Sequence, residues 1–567
     1  MKKITKILAS SLVAAMILSM AACGKAEETT KKKKKTKKTT KETTEETTEE
    51  PTETTEAPTE STTEESTTVT TQPSGVDPDT ITLDYNFPEA GCAIDLAKKE
   101  DCFYYKMDME LNPDDRTIGG HIEFTFFNYS EDEWDKLCMR DYSSLFIDAK
   151  TAGYDQALDT NGALTDITNI VDTRSNTTLE YTRDTDVSVV WIPLTENLKP
   201  GDSMTLTYDF KATIPTVADR YGVDSDVFNV TNFYPILAVY DKGDWSHAAF
   251  YDCGECFFSY VSYYDVNLTV PKDWPVLSTG TQTAKFDSGD KSTYTFDAPS
   301  VRDFVFCTCK DFKFFEDDYN GVHIRVVYNE KHPGSSEMDA ASEASLQAAK
   351  DSLDSLGYAF GKYPYPELDI ILAPIAAGGM EYPNLIIVTD MAYYTTANSY
   401  EDIPYEQLGI VVAHEIGHQW FMGIVGSNSG MEPWLDESFA SYTEIVYEHY
   451  LGLTDEYAYY TRDMNDLTAP NMVQSLKAGD EIPVNRPYYD FSTQEAYISA
   501  AYSIGKVALY QMEEILGREN FYAIIREYVH RNAFTNSTED RLFEAIYDCA
   551  GKDNADLNKL IETVFER

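Results

Sequence analysis

The sequence is poor in positive charge: 46 Lys and Arg stand against 96 Asp and Glu, a formal net charge of −50. That balance excludes a nucleic-acid partner, because phosphates are bound by Lys and Arg. The excess acid gives a soluble surface that repels anions and mildly favours basic peptides. Long apolar runs are scarce as well. Beyond the N-terminus no segment is long and apolar enough to span a bilayer, which takes about 20 residues. Aromatic residues are missing from residues 24–78, so no core can form there. Histidine is scarce, with 8 in 567 residues, so a tight pattern of histidines carries weight.

What stands at the N-terminus reads as an export signal. Lys2, Lys3 and Lys6 precede the apolar run Ile7 to Ala22, which ends Met20-Ala21-Ala22-Cys23. Small residues ahead of a cysteine resemble a bacterial lipoprotein signal. The resemblance implies that residues 1–23 are a signal peptide whose Cys23 is the lipid attachment site, anchoring the chain to the membrane with its body outside the cytoplasm. Residues 24–78 open with the basic block Lys31 to Lys35 and continue in Thr-Glu repeats, a tether between membrane and body. Of 9 cysteines, Cys253-x-x-Cys256 and Cys307-x-Cys309 are the close pairs. Buried thiols, disulfides or a second metal site remain open for them.

Residues 79–320 are mostly strand-like. Gly120 to Phe126, Met204 to Tyr208, Tyr264 to Pro271 and Asp303 to Cys307 are rich in β-branched and aromatic residues and bounded by Gly, Pro, Asn or Asp. Several alternate with period two, as half-buried antiparallel strands do. From 321 to 567 the pattern changes. Val322 to Tyr328, Leu368 to Leu372 and Leu385 to Val388 read as strands, and Ser335 to Phe360 as a helix. Further helices are expected over Gln494 to Leu516, stopped by Gly517, over Asn520 to Arg531, and after a Ser537 cap with Asp540 three residues on. The fold class is α+β and multidomain: an N-terminal antiparallel β domain, then a mainly helical domain.

The chemistry gathers at His414-Glu415-Ile416-Gly417-His418, set in the apolar stretch from Leu408 to Gly423. That stretch reads as a buried helix. Residues four apart on a helix share a face, so the two imidazoles can clasp one metal ion while Glu415 holds a water. Glu437, with eighteen residues between it and His418, in Trp434-Leu435-Asp436-Glu437, is the candidate third ligand. Two imidazoles, one carboxylate and an open position suit one zinc ion. Glu415 is the expected catalytic base. Glu444, seven residues after Glu437, falls on the same helix face and is a candidate to orient a ligating histidine.

His414 to Phe421, the eighteen-residue gap and Trp434 to Tyr442 resemble the gluzincin zinc aminopeptidases related to aminopeptidase N and leukotriene A hydrolase. Gly378-Gly379-Met380-Glu381-Tyr382 stands where that family carries Gly-Ala-Met-Glu-Asn. The resemblance runs from about residue 80 to the C-terminus. It implies a thermolysin-like catalytic domain, with Glu381 taking the free ammonium of a peptide substrate and Gly378, Gly379 and Met380 lining the peptide. It also implies a tyrosine that stabilises the oxyanion. Tyr502 in Tyr502-Ser503-Ile504-Gly505 fits that role, and Tyr497 is the alternative. A further anchor for the ammonium is expected from the β domain, for which Asn232 and Glu255 are candidates. Removal of N-terminal residues from peptides is the activity implied. An endopeptidase with an open cleft and a surface-binding lipoprotein with a vestigial peptidase domain are the alternatives.

Overall fold

The structure, a computed structural model, describes residues 94–154, 158–160, 164–251, 254, 256–331, 335–390, 406–452 and 466–567. The expected signal peptide with Cys23, the tether, Cys253 and Glu255 lie outside the described residues. Among those described, no helix is long and apolar enough to cross a membrane.

Alternating sequence produces a sheet wet on one face. Phe103–Asn112 buries every second residue, and Ser203–Thr213 does so along nearly its whole length. They belong to an eight-stranded sheet. Its inward face is dominated by aromatic rings. Tyr105 stacks on Phe124 at 4.0 Å and on Tyr264 at 4.7 Å. Such cross-strand pairs stabilise by about 0.5–1.5 kcal/mol beyond area burial. Nearly all neighbours pair antiparallel, as expected. The exception is Phe103–Asn112, which runs parallel to Ser262–Pro271. Parallel neighbours need a long connection, and here the intervening strands supply it. Two four-stranded sheets and a two-stranded one complete this region among the described residues.

A five-stranded mixed sheet follows, in the order Phe312–Tyr319, Val322–Asn329, Glu367–Ala373, Leu385–Thr389, Gly379–Met380. The helix Ser335–Phe360 crosses between two of its parallel strands. The edge strand Gly379–Met380 pairs antiparallel with Leu385–Thr389. The remainder is helical, so the two-part architecture expected from sequence is present.

Several local expectations are corrected. The strand over Asp303 to Cys307 is confined to Phe306–Thr308. The helix expected to run on to Gly423 is Glu406–Gly417. His418 sits in the following turn, its N–H still donating to His414 O at 3.3 Å. The stretch Gln494 to Leu516 is α-helical at both ends, with a π-helical turn, Ser499–Ile504, between. The helix after 537 is Glu539–Ala550, entered from Thr538 with no side-chain cap. Cys307 and Cys309 are buried free thiols in an apolar cluster.

Arg302, from the β region, ties it to the chain around the His418 turn. Its Nε donates to Met422 O and to Gly423 O at 3.1 Å. Nη1 donates to Ser259 O at 3.1 Å and Asn536 Oδ1 at 2.6 Å, and Nη2 to Thr535 O at 2.8 Å. All five bonds end on carbonyl oxygens, so burial pushes the guanidinium down to about 10. Met422 holds a φ of +122°, a region costly for a side chain, and Arg302 fixes its carbonyl. Arg302→Ala should therefore destabilise the fold by on the order of 3 kcal/mol through unpaired buried carbonyls. Arg302→Lys should recover only part, since an ammonium lacks the planar fork. Urea midpoints report this, and an unmoved midpoint for Arg302→Ala would contradict it.

Candidate metal centre

Two helices packed side by side bring the site together. Glu406–Gly417 presents His414 and Glu415 and hands His418 to the turn after it. Trp434–Tyr450 packs against it and presents Asp436, Glu437 and Glu444. Periodicity explains the grouping: Glu437 and Glu444 are two turns apart and face the same partner.

Glu437 Oε2 lies 3.6 Å from His414 Nε2 and 3.6 Å from His418 Nε2. That oxygen is buried and has no hydrogen-bond partner. The far ring nitrogens are committed. His414 Nδ1 is 2.9 Å from Glu444 Oε1, and Glu444 Oε2 accepts from Lys506 Nζ at 2.7 Å. His418 Nδ1 is 2.7 Å from Asp436 Oδ1, and Asp436 Oδ2 accepts from Ser429 Oγ at 3.0 Å. Each histidine thus donates from Nδ1 and turns the lone pair of Nε2 toward Glu437. A buried acceptor with no donor facing two ring nitrogens fits a cation among the three. The donor set of two imidazoles and a carboxylate suits zinc. The three predicted ligands are therefore gathered, with ligand atoms within 4.8 Å of one another.

The charge state follows from the same contacts. Burial opposes ionisation of Glu437, but the two imidazoles outweigh it and hold the carboxyl well below the usual range. Burial likewise opposes Glu444, which Lys506 and His414 bring down to about 2. Burial disfavours a charged His414, yet the nearby carboxylates of Glu437 and Glu444 raise it to about 9 when no cation holds Nε2. Glu415 is pushed up to about 7, chiefly by burial.

The remaining predicted residues fall as follows. Glu381 is buried, its field acting on His418, and it groups with His418 and Asp436 within 4.8 Å. Met380 and Glu381 line a cavity of about 30 Å³ with Asn232, Asp303, Tyr382 and Met422. A neighbouring cavity of about 100 Å³ shares Tyr142, Asn232 and Phe257 with it. Gly379 is crossed by Glu415. A Cβ there would stand 2.1 Å from Glu415 Oε1, so the absent side chain makes room for the carboxylate. Gly378 O accepts from Thr389 N at 3.0 Å within the sheet.

Tyr502 lies on the π-helical turn, its ring 6.3 Å from that of His414 and 8° from parallel to it. Gly505, the last residue of its motif, is crossed by Ser438, one residue after Glu437. A Cβ at 505 would meet Ser438 Oγ at 1.8 Å, so only glycine allows this approach. Tyr497 is buried among Tyr488, Phe491 and Tyr502, a packing position. Asn232 is engaged at both ends of its amide: Nδ2 donates to Asp303 Oδ2 and Oδ1 accepts from Tyr382, each at 2.7 Å. Sequence reasoning missed the roles of Asp436, Lys506 and Arg302. Asp436 was the findable one, since a carboxylate beside a ligand and next to a histidine-bearing turn is a natural partner for Nδ1.

Comparisons agree with this geometry. Residues 345–564 match the description "Peptidase family M1 domain". Bovine aminopeptidase N is 31% identical over 191 residues, 32% of this chain and 19% of that protein. Rice aminopeptidase M1-B is 28% identical over 220 residues, 38% of this chain and 24% of that protein. Tricorn protease-interacting factor F2 of Thermoplasma acidophilum is 25% identical over 299 residues, 52% and 36% of the two chains. The chain thus spans roughly a fifth to a third of the length of these curated relatives. A crystal structure of an M1 zinc metallopeptidase from Deinococcus radiodurans superposes with TM-score 0.54 at 16% identity, covering 82% of this chain and 94% of that one. The same Deinococcus protein bound to a Tyr-Ser-Ala substrate gives TM-score 0.53 at 16% identity, with 82% and 93% covered. Residues 345–564 thus resemble a peptidase family M1 domain, and the two-part fold is shared with M1 zinc metallopeptidase structures.

Proposed function

We propose that the chain is a zinc-dependent aminopeptidase that removes N-terminal residues from peptides outside the cytoplasm, with one zinc ion per site and a lipid anchor at Cys23. The observation that carries the activity is Glu437 Oε2 facing both Nε2 atoms, with Glu381 gathered at the His418 side. His414, His418 and Glu437 would hold the metal. Zinc, when bound, supplies Lewis-acid polarisation and a water of lowered pKa.

The protein's own groups do the rest. Glu415 accepts the proton of the attacking water and delivers it to the leaving amine. Its burial raises its proton affinity toward neutrality, which suits a group that must both take and give a proton. Tyr502 donates a hydrogen bond to the oxygen that becomes negative. Glu381 accepts the substrate ammonium and so fixes the scissile bond one residue from the N-terminus. The edge strand Gly379–Met380 offers backbone groups beside which a peptide can lie extended.

Glu415→Gln should keep its zinc, read by elemental analysis, while kcat falls by about 10²–10⁴. Near-normal turnover would reject Glu415 as the base. Glu381→Ala should raise KM for peptides with free amino termini by roughly 10-fold or more, as expected for loss of a charge-assisted contact. The parent enzyme should cut free peptides and spare their N-acetylated forms. Equal cleavage of both would make it an endopeptidase. Cys23→Ser should release the protein from the membrane fraction, and retention there would refute the anchor.

A further inference from the structure

The turn that carries Glu381 is held from two directions. On the metal side, Gln419, next to His418, accepts from Asn384 N through Oε1 at 2.8 Å. Its Nε2 donates to Tyr382 O at 3.2 Å and to Glu381 O at 3.4 Å. On the β side, Asn384 Oδ1 accepts from Gly280 N at 2.7 Å. The Tyr382 hydroxyl donates to Asn232 Oδ1 at 2.7 Å and lies 2.7 Å from the Thr231 hydroxyl. Thr231 donates its own proton to Arg220 O at 2.8 Å, so toward Tyr382 it can only accept, and the one phenolic proton is shared between Thr231 and Asn232.

Asn232 is itself oriented. Its backbone takes a left-handed φ of +47°, which Asn tolerates. Its Nδ2 donates to Asp303 Oδ2 at 2.7 Å, and Asp303 Oδ1 accepts from Tyr234 OH at 2.5 Å and Phe304 N at 2.8 Å. With its amide nitrogen committed to the Asp303 carboxyl, Asn232 must present oxygen to Tyr382. The phenol is long enough to span from the Glu381 turn to the β region. The Asn that the family motif places at this position has no comparable reach.

We propose that Tyr382 is a positioning residue. Its hydroxyl, received by Asn232, which Asp303 orients, sets the Glu381 carboxylate at its working distance from the metal ligands. This rests on the aminopeptidase reading above. Tyr382 is not one of the gathered ligands, and it acts through the peptide unit it shares with Glu381.

The test uses the zinc-loaded, full-length protein. Tyr382→Phe removes only the hydroxyl. It should raise KM for a free-amino peptide about 5- to 10-fold, the worth of one buried hydrogen bond, with kcat changed less than about 2-fold and zinc content unchanged. Asn232→Ala should act in the same direction, and the double variant should be no worse than the more affected single, since both break one relay. A fall in thermal midpoint with KM unmoved in both single variants would overturn the proposal. Should Tyr382→Phe fail to fold, Asn232→Ala alone decides by the same KM. The two readings fail differently. If the parent enzyme cuts free and N-acetylated peptides alike, the aminopeptidase assignment falls and Tyr382 with it. If the parent discriminates and the variants keep its KM, only the role of Tyr382 falls.

Discussion

One buried carboxylate governs the helical half of this protein. Glu437 is held between two imidazoles with no hydrogen-bond donor to Oε2. An isolated buried carboxylate costs several kcal/mol, so its surroundings must answer its charge. They do so by alternation. Lys506 meets Glu444, Glu444 meets His414, and His414 faces Glu437. On the other side Glu437 faces His418, His418 meets Asp436, and Asp436 meets Ser429. Each link leaves its neighbour one allowed role as donor or acceptor, so ring orientation and tautomer follow from the outer carboxylates inward. The close packing of Glu406–Gly417 on Trp434–Tyr450 is what holds the chain of charges at this spacing.

The β region is part of the same construction. Two consecutive residues, Arg302 and Asp303, reach opposite sides of the site. Arg302 grips the carbonyls of Met422 and Gly423 just beyond the last ligating histidine. Asp303 supports Asn232 and so the turn that carries Glu381. The stretch between the gathered histidines and Glu381 is therefore spanned by a single dipeptide of the β region. A rigid scaffold supplies such a distance better than a mobile loop can, because pre-organised groups lose less entropy when substrate binds.

Local physics explains which parts were legible in advance. The ligands His414 and His418 obey helical spacing, and Glu437 follows close in sequence, so all three could be named from the sequence. Long strands such as Ser203–Thr213 announce themselves by alternation. Arg302 could not be found this way: its partners at 422, 423, 535 and 536 are distant in sequence. The π-helical turn at Ser499–Ile504 was also hidden, because it is fixed by tertiary contact, with Ser438 Oγ donating to Ala501 O at 2.5 Å. Gly379 was read as a point of close approach for a peptide, and the crossing of Glu415 there could not be foreseen, since sequence shows that room is needed and not what fills it. Asn232 looked free to bind substrate until its amide proved to be engaged at both ends.

The edge strand gives the site its direction. Gly379–Met380 is two residues long, and the chain then turns through Tyr382 and Pro383 toward Asn384, whose φ is +49°. On the proposed function, a peptide lying along this edge would find ladder partners over that short span only. Beyond it stands Glu381, buried beside His418 and Asp436. A substrate continuing past this point would bring a neutral amide to a buried carboxylate, whereas a terminal ammonium would answer its charge. On that reading the short strand and the buried charge act together: one limits how far a substrate can be read as a strand, and the other rewards a chain that ends there.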